Sequence, residues 1–118
     1  MMITRAPYLF IASMDVVQDR EELFNQVYDE EHVPSLARVE GVLGVGRYER
    51  IDLTMSLGGQ LRHVAPLHPK YHAVYALESP DVLTSDSWAE AVERGRWPEA
   101  VRPFTTSRQH LLAKRLGA

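Results

Sequence analysis

Apolar and polar positions recur along this chain with two periods, which together predict an order of elements. Four short runs alternate or are apolar throughout, as strands are; they are residues 8–14, 42–53, 71–78 and 104–114. Residues 19–38 instead carry apolar side chains three and four apart, which predicts an amphipathic helix. Helical turns are expected near Asp81 and again over 88–94. The order β-α-β-β-α-β predicts a ferredoxin-like α+β fold with an antiparallel sheet.

Capping signals predict where the helices begin. Asp19 and Glu22 have the spacing of a capping box, and Ser87 and Glu90 repeat it. Ser79, followed at once by proline, also predicts an N-cap.

Pro34 interrupts the first helix, because proline lacks the N–H that a helix needs and clashes with the preceding turn. The sequence therefore predicts a kink near Val33, a continuation through Arg38 and an end at Gly41. Further along, Gly58-Gly59 predicts a turn that closes a small hairpin within the connection 54–69.

The strands are largely apolar on both sides, yet the two helices of this fold can cover only one face of the sheet. An uncovered apolar face predicts an interface, and the simplest partner is a second copy of the chain. We therefore expect one domain over residues 1–118 and a homodimer through the open sheet face, which makes a dimeric α+β barrel. Gly44 and Gly46 share one side of their strand, which predicts close approach by another element, such as a helix.

Composition narrows the classes of partner. A formal charge of −3 and a pI near 5.9 argue against a protein that binds nucleic acid or anionic membranes. No apolar run approaches the ~20 residues of a membrane span, and the first residues lack the apolar stretch of a signal peptide. A cytoplasmic location is the default expectation. The chain has no cysteine, which removes disulfides and thiolate chemistry.

The stretch Tyr28-Asp-Glu-Glu-His32-Val-Pro34, with Glu40-Gly41-Val42 and Arg47-Tyr48, resembles the helix-to-strand passage of EthD-like proteins in the dimeric α+β barrel superfamily. Residues 71–80, Trp88 and Pro103-Phe104 resemble later parts of the same pattern, so the resemblance covers nearly the whole chain. Glu40 stands where that pattern has proline, a departure that concerns the turn. The superfamily includes cofactor-free monooxygenases, isomerases, cyclases, haem proteins and members without known activity. The resemblance implies a cavity between sheet and helices, with the helix histidine as its acid or base. No cofactor is expected, because nothing beyond a free histidine argues for haem.

His32 is the candidate catalytic residue. Phe24, Tyr28, His32 and Leu36 are spaced by four and form one ridge of the helix, so the imidazole should point inward. Imidazole exchanges protons near neutral pH, which suits a general acid or base. The alternative is a core histidine that bonds to a carbonyl freed by Pro34.

The candidate substrate-binding residues are Tyr28, Tyr48, Tyr75, Trp88 and Arg108. Tyrosine hydroxyls could donate to a developing oxyanion, and Arg108, with His110 on the same side of the last strand, could bind a carboxylate or a carbonyl. The alternatives are core or interface aromatics and a surface ion pair. Three histidines, His63, His68 and His72, are close enough in sequence to suggest a metal, but no carboxylate pattern accompanies them, and we expect no metal site.

The function expected is a small enzyme or binding protein for a hydrophobic or aromatic carbonyl compound, with no cofactor and with His32 moving a proton. Isomerisation, cyclisation and oxygenation remain open. One alternative is a homodimer that binds a small molecule or is associated with stress and does not catalyse. A second is an interaction module whose sheet face serves a different partner.

Overall fold

The computed structural model describes residues 3–117 and has the α+β architecture expected. Six strands are formed: β1 (Tyr8–Val16), β2 (Val42–Glu49), β3 (Leu53–Leu57), β4 (Gln60–Val64), β5 (Tyr71–Leu77) and β6 (Thr105–Lys114). Three α-helices accompany them: α1 (Glu21–Val27), α2 (Val33–Ala37) and α3 (Asp86–Ala91). No helix in the described range 3–117 is both long and apolar enough to cross a membrane.

Four strands form one antiparallel sheet in the order β2-β5-β1-β6, and β3 and β4 form a separate hairpin. This strand order is that of the ferredoxin-like fold, so the predicted fold class is confirmed. The helices pack on one face only, where the core joins Phe24, Val27 and Leu36 to Ala73 and Leu77 of the sheet.

The second strand ends earlier than predicted. Pairing with β5 stops at Glu49, and residues 50–52 leave the sheet before the hairpin begins at Leu53. The turn at Gly58-Gly59 is confirmed, and both hairpin strands are exposed along their whole length. The expectation of one strand to residue 53 was wrong because β5 begins only at Tyr71, so residues beyond 49 have no strand beside them.

Two of the three predicted caps were wrong. Asp19 lies inside a 3₁₀ turn, Gln18–Arg20, so α1 begins at Glu21 without a side-chain cap. The Ser85 hydroxyl, rather than that of Ser87, accepts a hydrogen bond from the Trp88 N–H at 3.2 Å and starts α3. The cap at Ser79 is confirmed, since its hydroxyl accepts from the Asp81 N–H at 3.1 Å.

The predicted disturbance near Pro34 is a π-helical turn over Tyr28–His32, between α1 and α2. A π turn widens the helix by one residue, which accommodates a proline that cannot donate its own hydrogen bond. The helix then ends with Arg38 as its C-cap, and Gly41 follows with φ of +92°. A Cβ at Gly41 would lie 2.5 Å from the Val82 side chain, so this turn requires glycine.

The other face of the sheet is uncovered by any described element and is organised in rows. Strand register places Gly46, Val74, Ile11 and Leu111 in one apolar row, and Gly44, Ala76, Leu9 and Ala113 in the next. A third, polar row joins Tyr48, His72, Ser13 and Gln109. The expectation that a helix approaches Gly44 and Gly46 was wrong, because both face this open side. Nothing within the described chain approaches a Cβ at Gly44, and only the Tyr48 ring lies near Gly46.

Candidate functional site

A cavity of about 160 Å³ lies between the covered face of the sheet and the helices and opens beside β6. Its inner wall is formed by buried residues of the π-helical turn, α2, β5 and the segment after α3: Tyr28, His32, Leu36, Tyr75 and Trp97. Phe10, Trp88, Val92, Arg102, Arg108 and His110 line the outer part. The cavity therefore collects aromatic rings inside and basic side chains towards the opening.

His32 is held in the inner wall by two aromatic neighbours. Its ring stacks on the Trp97 indole, with centroids 4.1 Å apart and planes inclined by 19°, and meets the Tyr28 ring edge-on at 5.1 Å. Only 6% of its surface is exposed. The π-helical turn contains both Tyr28 and His32, so the irregularity of the helix is what sets the imidazole against the cavity.

The buried Nδ1 atom of His32 has no hydrogen-bond partner within residues 3–117. Buried side-chain nitrogens almost always have one, so such an atom calls for a ligand or water. Burial lowers the pKa of His32 to about 4, and the Arg102 charge adds to that effect. The imidazole is therefore neutral at pH 7 and can accept a proton or a hydrogen bond. The alternative was a core histidine bonded to a free backbone carbonyl, but within the described chain Nδ1 of His32 makes no such hydrogen bond.

The hydroxyls of Tyr28 and Tyr75 form a pair beside the imidazole. Burial raises the pKa of both phenols. The interaction between the two hydroxyls lowers the pKa of Tyr28 and raises that of Tyr75. Both phenols therefore remain protonated at neutral pH, and both line the cavity, where an O–H can donate to a ligand.

Arg47 lies behind this pair. Its guanidinium lies 4.4 Å from the centre of the Tyr28 ring, and it donates to Asp29 at 2.7 Å and to Asn25 at 2.8 Å. The cation lowers the pKa of both Tyr28 and Tyr75, which opposes part of the effect of burial. In the sequence Arg47 stood out only as part of a family pattern, and the structure shows that Arg47 and its neighbour Tyr48 face opposite sides of the sheet.

The structure brings together five of the six predicted site residues: His32, Tyr28, Tyr75, Trp88 and Arg108 all line the cavity. Tyr48 does not join them. It lies on the open face, 57% exposed, with its ring over Gly46. The prediction that Tyr48 would donate a hydrogen bond in the same cavity was wrong, because alternation along β2 turns Tyr48 away from the helices.

Arg102 and Phe10 line the cavity although the sequence analysis did not anticipate them. Arg102 belongs to an irregular segment that gave no periodic signal, and it faces the cavity while bonded to Glu93 and to the Val92 carbonyl. Phe10 packs against Tyr75 and Trp88, with centroids 5.6 Å and 5.9 Å away. The alternation of β1 places Phe10 on the same side as other lining residues of that strand, which could have identified it.

The three histidines considered for a metal are not assembled. His63 lies on the exposed hairpin, and His68 lies in the connection after it. His72 faces the open side of the sheet, where its Nδ1 lies 2.6 Å from the Ser13 hydroxyl oxygen. No group of three or more His, Asp or Glu residues suited to a metal occurs among residues 3–117.

Comparison with solved structures gives matches over most of the chain. An ethyl tert-butyl ether D (EthD) family protein from Bacillus halodurans C-125 has a TM-score of 0.59 at 9% identity, over 92% of this chain and 98% of that one. The haem degrader MhuD from Mycobacterium tuberculosis, with two haems bound in its active site, has a TM-score of 0.55 at 14% identity, over 92% of this chain and 94% of MhuD.

A mutant of MhuD, with two manganese protoporphyrin IX molecules per active site, gives a TM-score of 0.54 at 15% identity, over 90% and 91% of the two chains. No family model matches the sequence, and no curated protein does. At these identities the likeness concerns the fold. The chain has the ferredoxin-like α+β fold, which it shares with the EthD-family and MhuD structures.

Proposed function

We propose that this protein binds a small hydrophobic or aromatic carbonyl compound in the cavity beside His32, and that His32 acts there as general acid or base. The observation that carries the proposal is the buried, unpartnered Nδ1 of a neutral imidazole in the wall of an otherwise aromatic cavity. A bound carbonyl compound brings an acidic C–H or O–H to that nitrogen.

The Tyr28 hydroxyl gives the cavity a donor for the carbonyl oxygen. When a base removes a proton next to a carbonyl, negative charge develops on that oxygen, and a fixed donor in a dry site stabilises it. The same negative charge would stabilise the protonated imidazole and so raise the pKa of His32 above its value of about 4. The negatively charged oxygen of the ligand and the protonated His32 therefore stabilise each other.

Binding without catalysis is the second candidate. A general base is usually oriented by a hydrogen bond to its other ring nitrogen. No hydrogen bond to either nitrogen of His32 is found within the described chain. An imidazole that is held by ring contacts and not by a hydrogen bond suits a binding site as well as it suits a general base.

Haem, the ligand of the MhuD structures, does not fit these residues. A cavity of about 160 Å³ lies well below the roughly 300–1,000 Å³ of pockets for drug-sized ligands. We assign no haem chemistry to this chain.

We propose in addition that two copies of the chain pair through the open face. The two apolar rows on that face support this, because such a surface on a stable protein usually has a partner. The cytoplasmic location remains a prediction from the sequence.

The test uses acetophenone, a one-ring ketone with exchangeable protons next to the carbonyl. Binding is followed by ligand-observed NMR, and methyl-proton exchange is followed in D₂O, for the wild type and for His32→Phe, which keeps a ring against Trp97. His63→Phe on the exposed hairpin is the matched control. Exchange that His32→Phe abolishes supports catalysis, binding with no exchange favours the second candidate, and absence of binding overturns the proposal.

A further inference from the structure

The cavity lining is basic and free of acid. Among its described lining residues none is aspartate or glutamate, whereas two arginines, Arg102 and Arg108, reach it. The chain as a whole has more acidic residues than basic ones, 16 against 13, so this local excess of positive charge runs against the average. An opening with one sign of charge favours a ligand of the opposite sign.

The two arginines differ in what they already bind. Arg102 donates to the Glu93 carboxylate at 3.1 Å and to the Val92 carbonyl at 3.1 Å, so its guanidinium already has a carboxylate partner and a fixed position. Arg108 is exposed and makes no hydrogen bond or ion pair to any residue in the range 3–117. Its charge still lowers the pKa of Tyr28, which shows that the guanidinium acts on the cavity interior. Arg108 is therefore the group with unused capacity for an anion.

The backbone next to Arg108 is irregular. The pairing of β1 with β6 shifts between Ser13 and Asp15, and Ser107, directly before Arg108, has φ of +53°. A β-bulge with a residue in the left-handed region re-aims the neighbouring side chain, and such bulges are common beside active sites. Arg108 and His110, two residues apart on β6, both line the cavity, and the His110 ring stacks on Phe10 with centroids 5.8 Å apart.

The volume limits the part of the ligand that lies inside. An engineered cavity of roughly 150 Å³ holds one benzene molecule, and this cavity measures about 160 Å³. Flat rings bound it, with Trp88 edge-on to both Phe10 and Tyr75 at 5.9 Å and 5.4 Å. One six-membered ring fits, and a charged substituent would extend to the opening.

We propose that the ligand is a monocyclic aromatic carboxylate that also carries a carbonyl group. The ring lies between the aromatic walls, the carbonyl points inward to Tyr28 and His32, and the carboxylate is bound at the opening by Arg108. This inference rests on the proposed function, because it uses the same cavity and the same inner groups. It adds the charge of the ligand, its size and its orientation.

The test compares 4-acetylbenzoate with 4-acetylbenzamide, which share the ring and the ketone and differ in charge. Calorimetry or ligand-observed NMR measures both dissociation constants for the wild type, Arg108→Gln, Arg108→Lys and the control Arg38→Gln, an exposed arginine that does not line the cavity. We expect the wild type to prefer the carboxylate by about tenfold, as a charge-assisted hydrogen bond would give. Arg108→Gln should remove the preference, Arg108→Lys should keep part of it, and Arg38→Gln should leave it unchanged.

The outcomes separate this inference from the proposed function. Equal binding of the two compounds by the wild type, or a preference that survives in Arg108→Gln, overturns the anionic ligand and leaves the carbonyl site standing. Binding of neither compound overturns both. Since Arg108 is exposed, we expect Arg108→Gln to fold, and a circular dichroism spectrum like that of the wild type checks this.

Discussion

The two faces of the sheet differ in what their residues still lack. The covered face is packed with aromatic rings around a small cavity, and the atom left without a partner there is a polar one, Nδ1 of His32. The open face has its polar atoms better matched, since Ser13 contacts His72, but its apolar rows lie against no described part of the chain. A missing hydrogen bond calls for a small polar ligand, whereas uncovered apolar area calls for another protein surface.

The largest loss of stability is expected for a substitution among the packed aromatic rings of the covered face. Tyr75→Ala removes a ring that is 2% exposed and packs on Phe10 and Trp88, and it should lower the free energy of unfolding by about 4 kcal/mol. Tyr48→Ala on the open face is the matched control and should cost less than about 1 kcal/mol in the protomer. Urea denaturation measures both. Similar losses for the two variants would contradict the distinction between the faces.

A pH titration of stability tests the covered face next. The pKa of His32 is about 4 when folded, against 6.5 as the ordinary value. As the pH falls through 6.5, the unfolded chain takes up a proton that the folded chain does not, so stability decreases until about pH 4 and levels off below it. The loss should be roughly 3 kcal/mol.

His32→Phe should remove that part of the pH dependence, while His63→Gln on the hairpin controls for the loss of a histidine. Denaturant titrations between pH 4 and pH 7 give the slopes. If wild type and His32→Phe have the same slope, then His32 titrates normally and is not buried as described.

A charge introduced on the open face should dissociate the proposed dimer. Ile11→Glu places a carboxylate in the centre of an apolar row, and burying it without a partner would weaken the proposed dimer at least about a hundredfold. Sedimentation equilibrium measures the mass, and Glu22→Lys, on the exposed side of α1, is a control for altered charge. A wild-type protein that is monomeric at high concentration would contradict the dimer.

The smallest effect concerns the polar row. The Ser13 hydroxyl oxygen and Nδ1 of His72 lie 2.6 Å apart across neighbouring strands, and Ser13 is 6% exposed. A double-mutant cycle with Ser13→Ala and His72→Phe should give a coupling of about 1 kcal/mol. A coupling near zero would show that the row contributes no stability to the open face.

Much of the site was accessible from the sequence because the information is local. Spacing by four placed Tyr28 and His32 on one inward ridge, and Pro34 marked the irregular turn that the structure shows as π-helical. Alternation along the strands placed Tyr75 and Arg108 on defined sides of their strands. Each of these depends on the geometry of a single element.

By itself, the sequence determined the order of elements, the antiparallel fold and the inward ridge that carries His32. Only the tertiary structure decided which side of β2 the helices cover, and that choice put Arg47 behind Tyr28 and left Tyr48 on the open face. It also brought Arg102 to a cavity formed by segments distant in sequence. The physical reason is that alternation shows which residues share a face, whereas the packing of distant segments selects the face that becomes the core.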